Sequence, residues 1–230
     1  MKILAVIPAR GGSKGIKGKN IIDVAGKPLI AYTIAPALAS LRRGTIQKLI
    51  VSTDSERIGT IAKGLGAQVP FLRPKNISAD KSKSADVLLH AIRFFEEENI
   101  YFDTVMLLQP TAPLRTLADI ESAVKLFKRK KADSLISCYR DELLNASILY
   151  HKRGDKAVAW RRDHNSGAPR QSREETFIRS GAIYMTRVDY LKRNRRIIAE
   201  TPLLYEIDKS RSIDIDSVED LKILRRMLCA

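Results

Sequence analysis

Residues Lys2 to Asn20 read KILAVIPARGGSKGIKGKN, and this stretch decides the fold. Lys2 to Pro8 is a short, nearly continuous apolar run that ends at a proline. That is the pattern of a strand buried on both faces of a parallel sheet. Ala9 to Asn20 then supplies glycines, Ser13 and the basic residues Arg10, Lys14, Lys17 and Lys19. Glycine lets a backbone approach an anion closely, and successive amides form a concave anion nest. α/β sheets place their ligands beyond the carboxyl ends of their strands, where this loop falls. Spacing excludes two familiar versions: Ser13 stands where a P-loop needs its first glycine, and no G-x-G-x-x-G occurs. A plain structural turn stays open as the alternative.

Outward from this loop, similar apolar runs recur at Ile46 to Ser52, Thr104 to Leu108 and Ser134 to Cys138. Helical patterns separate them. Pro28 suits the first turn of a helix running toward Ser40, which Pro36 is expected to kink or interrupt. Ser55 to Leu65 is a second helix, and Ser84 to Glu98 a third with Val87, Leu88, Ala91, Ile92 and Phe95 on one face. In Thr116 to Lys131, Thr116 can cap, Asp119 follows three residues on, and the last turn is basic. Alternating strands and helices predict an α/β fold, a mostly parallel sheet with flanking helices.

The pattern weakens from Tyr139 to about Arg179, with short strand-like pieces at Ser147 to His151 and Ala157 to Arg161. Residues 1–230 therefore read as one domain, with roughly 139–180 an insertion suited to a dimer contact. Regular structure returns at Gly181 to Thr186, then Ser212 to Asp216, and a closing helix from about Val218 capped by Ser217.

The 230 residues carry 41 Lys and Arg against 26 Asp and Glu, a net charge of +15. Nucleic acid, a polyanionic small substrate and a solvated basic face all fit such a balance. The basic residues are scattered, and no aromatic-basic alternation marks a nucleic-acid motif, so nucleic acid is not expected as a partner. No run of about 18 apolar residues offers a membrane span, so no membrane partner is expected. Cys138 and Cys229 lie far apart and form no metal or disulfide framework, which predicts a cytoplasmic setting.

Ile213-Asp214-Ile215-Asp216 alternates strictly, so a strand there would put both carboxylates on one face. Two carboxylates side by side repel unless a cation lies between them, and Mg²⁺ (or Mn²⁺) bound with phosphate oxygens is one economical explanation. A strand edge with solvated acids is the other. Gln109 follows the strand Thr104 to Leu108, where its amide could read a base edge or simply bond the loop.

The loop Ala9 to Asn20 resembles that of nucleotide-sugar pyrophosphorylase-like enzymes, specifically the acylneuraminate cytidylyltransferases. The blocks IVSTD (50–54), LRP (72–74), LLQPTAPLR (107–115), GAIY (181–184) and SIDID (212–216) extend the resemblance along almost the whole chain. It implies a Rossmann-like nucleotide-diphospho-sugar transferase fold with a small dimerisation insertion. It further implies a homodimeric enzyme joining CTP to an acidic nine-carbon sugar, with Asp214 and Asp216 as metal ligands. Arg10 and Lys19 would act on the α-phosphate, and Ser13 and Lys14 on the β and γ oxygens. Ala9, Gly11, Gly12 and Asn20 complete the nucleotide loop, with Arg73 and Ser84 near the base. Gln109, Arg170 and Ser180 fall on the sugar side, Arg170 reaching the sugar carboxylate across the dimer. Arg115 is expected to hold its loop. The chain departs from the resemblance at Lys81 and Lys83, at Ser180 in place of an asparagine, and by lacking a His-Pro-x-Lys segment near 143–147. A Kdo-type enzyme, one using another nucleotide, and a non-catalytic nucleic-acid-binding protein are the competing readings.

Overall fold

A computed structural model describes residues 1–13, 15–144, 148–162, 164 and 175–229. The chain opens with β1 (Ile3–Pro8), the two-residue strands β2 (Asp23–Val24) and β3 (Lys27–Pro28), helix α1 (Ala31–Arg42), β4 (Lys48–Ser52) and α2 (Glu56–Gly64). It continues with α3 (Ser84–Glu97), β5 (Thr104–Leu107), α4 (Leu117–Lys130), β6 (Ser134–Asp141), and the pair β7 (Tyr150–Arg153) and β8 (Lys156–Ala159). It ends with β9 (Thr176–Arg187), α5 (Val188–Asn194), β10 (Leu203–Glu206) and α6 (Val218–Cys229).

Six strands form one sheet in the order β10–β6–β9–β5–β1–β4. β4 and β5 flank β1 in parallel, β10 runs parallel to β6, and β9 is antiparallel to both β5 and β6. The mostly parallel α/β sheet read from the sequence is the one observed. β1 is apolar throughout because both its faces are covered. Ile3, Ala5 and Ile7 pack with residues of α1, α2 and α4, while Leu4 and Val6 pack with α3 and α5. From β1 the chain crosses one way to β4 and later the other way to β5, so a switch point opens beside β1.

A third, smaller cluster joins Ile16, Val24, Leu29, Ile215, Leu221 and Leu224. It pins the glycine-rich loop and the 213–216 segment to the β2–β3 hairpin and α6.

Two expectations are corrected, and one half of a third. The segment 212–216 is not a strand and joins no sheet. One backbone bond, from Ile215 N–H to the Thr111 carbonyl at 2.8 Å, ties it to the loop after β5. The alternation nevertheless holds, with Ile215 fully buried and Asp214 and Asp216 exposed. Pro28 belongs to β3, and the helix starts three residues later at Ala31. Pro36 lies inside α1 without interrupting it. A proline forfeits one ladder bond, and burial of Ala31, Thr33, Ile34, Ala37 and Ser40 on the sheet outweighs that loss.

Between β6 and β9, β7 and β8 form a hairpin with no other strand paired to it among the described residues. The strand-like piece expected from Ser147 begins at Tyr150, and residues 145–147 lie outside the described residues. No described helix is long and apolar enough to cross a membrane.

At the start of α4, Thr116 and Asp119 form a capping box. Asp119 also accepts from the Tyr205 hydroxyl at 3.0 Å and from the Arg211 guanidinium, tying α4 to β10 and the turn after it. Burial alone would raise the Asp119 pKa, but the Arg211 and Thr116 donors outweigh it and hold the carboxyl below its ordinary value. A depressed folded pKa contributes stability above the unfolded carboxylate value and loses it as pH falls through the folded one. Asp119→Asn should destabilise the protein by about 2 kcal/mol at neutral pH. In urea titrations the gap from the unsubstituted protein should shrink as the pH falls below about 4. A gap independent of pH would contradict the ion-pair account.

Candidate active site

A cleft of about 460 Å³ opens at the carboxyl ends of β1 and β5. Its wall from the glycine-rich loop carries Arg10, Ser13, Gly15, Lys19 and Asn20. Gln109, Pro110 and Thr111 form its floor, Arg73 and residues 77–84 one side, and Asp214 and Asp216 the other.

The loop is braced from beneath. Asn20 is buried and its amide donates to the Arg10 carbonyl at 3.0 Å, while the Gly11 N–H donates to Asp54 Oδ1 at 2.8 Å. Lys19 reaches across the cleft, its ammonium donating to the Ile215 carbonyl at 2.8 Å and to Asp216 Oδ1 at 2.9 Å. Gly15 allows this approach, since a Cβ there would stand 2.6 Å from the Asp216 carbonyl oxygen. The loop and the aspartate segment therefore touch backbone to backbone.

Asp214 lies deeper than Asp216. Partial desolvation raises its pKa, the Asp216 charge adds to that, and a hydrogen bond with Thr111 and the Lys19 charge oppose it. Gly181, at φ +72°, passes beside it; a Cβ there would lie 3.1 Å from Gln109 Oε1 and 3.6 Å from Asp214 Oδ2.

On the other side Arg73 is buried, donates to Ser78 Oγ at 3.1 Å and faces Asp54 at 3.8 Å. Burial lowers its pKa, Asp54 opposes that, and Arg10 adds to it. Arg10 itself pairs with Asp80 at 2.5 Å, joining the glycine-rich loop to the 77–84 segment. Arg115 lies beneath the floor, donating to the carbonyls of Ala182 at 2.8 Å and Gln109 at 2.6 Å. Its complete burial pushes the pKa down to about 9, which the Asp119 charge partly offsets. It holds the loop and does not face the cleft.

Of the residues singled out in the sequence, the cleft gathers Arg10, Ser13, Lys19, Asn20, Arg73, Ser84, Gln109, Asp214 and Asp216. Ala9 is buried under the loop, with its N–H bonded to the Ser52 carbonyl at 2.9 Å. Gly11 contacts Ser55 and Asp54, and Gly12 is open on its Cβ side. Ser180 does not face the cleft: it is buried, and its hydroxyl bonds Ser137 Oγ at 2.8 Å across a β6–β9 irregularity. Lys14 and Arg170 lie outside the described residues. Sequence reasoning gave no individual role to Asp54, Asp80, Gly15 or Thr111. Gly15, Asp54 and Thr111 stand inside the quoted blocks, but the contacts that give these residues their roles run across the cleft and leave no mark in spacing.

A glycine-rich basic loop facing two carboxylates at the switch point of such a sheet defines the nucleotidyltransferase class. A family model described as "Cytidylyltransferase" matches residues 4–228, and the chain belongs to that family. The N-acylneuraminate cytidylyltransferase of Escherichia coli O18:K1:H7 is 33% identical over 223 residues, 96% of this chain and 51% of that protein. The CMP-N,N'-diacetyllegionaminic acid synthase of Legionella pneumophila is 44% identical over 128 residues, 56% of this chain and 54% of that protein. The pseudaminic acid cytidylyltransferase of Campylobacter jejuni is 31% identical over 225 residues, 98% of this chain and 95% of that protein. The chain thus spans about half the length of the first two relatives. Among solved structures, a CMP:2-keto-3-deoxy-manno-octonic acid synthetase complexed with CTP matches the fold with a TM-score of 0.71. That match has 18% identity and covers 100% of this chain and 99% of the other.

If the backbone contact at Gly15 sets the width of the cleft, Gly15→Ala should weaken nucleoside triphosphate binding by about tenfold. Calorimetric titration reads this, with thermal unfolding as control. Unchanged affinity in a folded variant would show that the contact is incidental.

Proposed function

We propose that this chain transfers the CMP unit of CTP to a nine-carbon 2-keto acid sugar of the N-acylneuraminate or legionaminate type, releasing pyrophosphate. The observation that carries this reading is Lys19, bonded to the Asp216 segment across a cleft walled by the glycine-rich loop. Triphosphate charge has Arg10, Lys19 and the loop amides to meet it. The base side offers Arg73, Ser84 and the Ser82 hydroxyl, which is buried without a hydrogen-bond partner. An orphan polar group in a cleft wall is satisfied when a ligand edge reaches it. The relatives named above activate acidic sugars, which supports the same substrate class here.

Catalysis on this reading is positioning and charge neutralisation. The anomeric hydroxyl of the sugar attacks the α-phosphorus in line, its proton passes to solvent, a new P–O bond forms, and the bond to pyrophosphate breaks. Arg10 and Lys19 stabilise the α-phosphate, and Ser13 orients the terminal phosphates. Asp214 and Asp216 suit Mg²⁺ (or Mn²⁺): both open to the cleft, and their mutual repulsion is part of what raises Asp214. No group of three metal-ligating side chains occurs among the described residues. Two carboxylates completed by phosphate oxygens and water are the set Mg²⁺ prefers. The chemistry a bound divalent ion supplies there is charge neutralisation on phosphate oxygens.

We further propose a homodimer formed through the β7–β8 hairpin. A lone two-stranded hairpin is marginal in water. This one exposes Tyr150, with Trp160 just beyond its second strand 68% exposed. A reducing, cytoplasmic setting fits the free, buried Cys138.

Pyrophosphate release should occur with Mg²⁺, CTP and one of N-acetylneuraminic, legionaminic, pseudaminic or ketodeoxynonulosonic acid, and not with GTP, UTP or ATP. Release with Kdo alone, or with another nucleotide, would move the assignment. Asp216→Ala should lower turnover by about 10²-fold or more. Lys19→Ala should reduce turnover more than it raises the sugar Michaelis constant. Turnover at the unsubstituted level in Asp216→Ala would sink the metal role. Trp160→Asp should shift the protein to a monomer in sedimentation velocity; an unchanged sedimentation coefficient would remove the hairpin from the interface.

A further inference from the structure

Beside the wall formed by residues 77–84, the chain encloses a second and smaller cavity of about 270 Å³. Residues 74–77 supply one of its sides, and Ile77 lines both this cavity and the cleft, so a single short turn separates the two. The opposite side is one face of α3, where Asp86, His90 and Arg93 follow one another at intervals of four and three residues. Arg195, the residue that caps the end of α5, completes the lining.

The polar groups gathered there are poorly matched to one another. Among the described residues His90 has no hydrogen-bond partner for either ring nitrogen, and its Nδ1 is buried. Its ring stands edge-on to Phe71, with centroids 4.5 Å apart. Burial lowers the His90 pKa, the Arg93 and Arg73 charges add to that, and Glu97 opposes it. Arg93 has no carboxylate within ion-pair distance among the described residues. Arg195 donates to Asp86 at 2.8 Å, and Asp86 is the one carboxylate in the lining. A guanidinium has five donors, so that pair leaves most of those on Arg195 unused. The imidazole is thus unfavourable as a cation beside two guanidiniums and unsatisfied as a neutral ring.

An anion in the cavity would resolve both conditions. A carboxylate brings one charge and two oxygens, whereas a phosphate group brings close to two charges and three or more acceptor oxygens. Two charges match Arg93 and a protonated His90, with Arg195 still held by Asp86 and donating from its free edge. The volume lies below the roughly 300–1,000 Å³ of pockets that take drug-sized ligands, which limits the occupant to a small one. We propose that the cavity between residues 74–77, α3 and the end of α5 is a second anion site, binding a phosphate group, free or as a small monoester, through Arg93, Arg195 and His90.

The chain has three histidines, so each imidazole can be followed by NMR in the full-length protein, with His90 assigned from His90→Gln. Inorganic phosphate and glycerol 3-phosphate would be titrated separately, with chloride keeping the ionic strength constant. The His90 signal should move saturably with at least one of them, and the pH midpoint of its titration should rise by about 1 pH unit, because a neighbouring anion favours the imidazolium. A response to inorganic phosphate alone identifies the free ion as the occupant, and a stronger response to glycerol 3-phosphate identifies a monoester; both support the site. Arg93→Gln, a change at an exposed position, should weaken the response by about tenfold or more in affinity, with thermal unfolding as the check on folding. The response should persist when CTP fills the cleft. A His90 signal that neither compound moves would overturn the proposal. So would a response of equal affinity in Arg93→Gln, or one that CTP abolishes, since the anion would then be acting from the cleft.

Discussion

The bond from Lys19 to the Ile215 carbonyl and the Asp216 carboxylate is the contact on which the cleft depends. Residues 212–216 have no sheet to hold them. Their position comes from this ammonium, the Thr111 carbonyl, burial of Ile215 beside Ile16, and Asp220, which accepts from the Asp216 N–H at 3.0 Å. The first and third of these involve the glycine-rich loop. The loop therefore positions the carboxylates as well as lining the cleft, and a shift in one must move the other. Gly15 is what makes the joint tight, since any side chain would drive the two backbones apart.

The rest of the site is arranged around that joint by the sheet. β1 delivers the loop, β5 delivers Gln109 to Thr111, and Thr111 holds the aspartate segment from below. Arg115 anchors the β5 loop to β9 through carbonyls of Gln109 and Ala182. Burying a guanidinium is costly unless its donors are used, and here two backbone carbonyls use two of them. A lysine could not span both carbonyls with a planar fork. The support thus runs in a closed path from loop to aspartates to β5 to β9.

Much of this was legible in the sequence because it rests on local rules. A run buried on both faces announces a parallel strand, and Thr116 with Asp119 announces a helix start; both follow from neighbours in sequence. The alternation at 213–216 predicted the correct faces and the wrong element. Alternation reports which side is buried, and one partner strand or none gives the same pattern. Ser180 is assigned to the sugar side only by its position before GAIY, and position in a motif does not say where a side chain points. At the irregularity between Ile136 and Cys138 its hydroxyl turns to Ser137 instead of the cleft. The roles of Asp54 and Asp80 were illegible, although Asp54 stands in a quoted block, because each acts through a partner more than 40 residues away, at Gly11 and Arg10.

Those two acids bear on how a cleft in a chain of net charge +15 handles phosphate. Arg10 is held by Asp80, Lys19 by Asp216, and Arg73 faces Asp54. Among the described residues, each of these three cations thus has a carboxylate beside it. A polyanion entering the cleft must compete with these carboxylates, so net charge alone gives it little advantage at close range. A ligand gains only by meeting several cations at once with oxygens at the right spacing, or by bringing a divalent ion that takes over Asp214 and Asp216. A triphosphate with its metal does both, and a lone phosphate does neither. Discrimination of this kind comes from the internal pairing of the cleft. The basic residues in the last turn of α4, Lys128, Arg129 and Lys130, are not part of the cleft lining, and they can steer anions toward the protein without choosing among them.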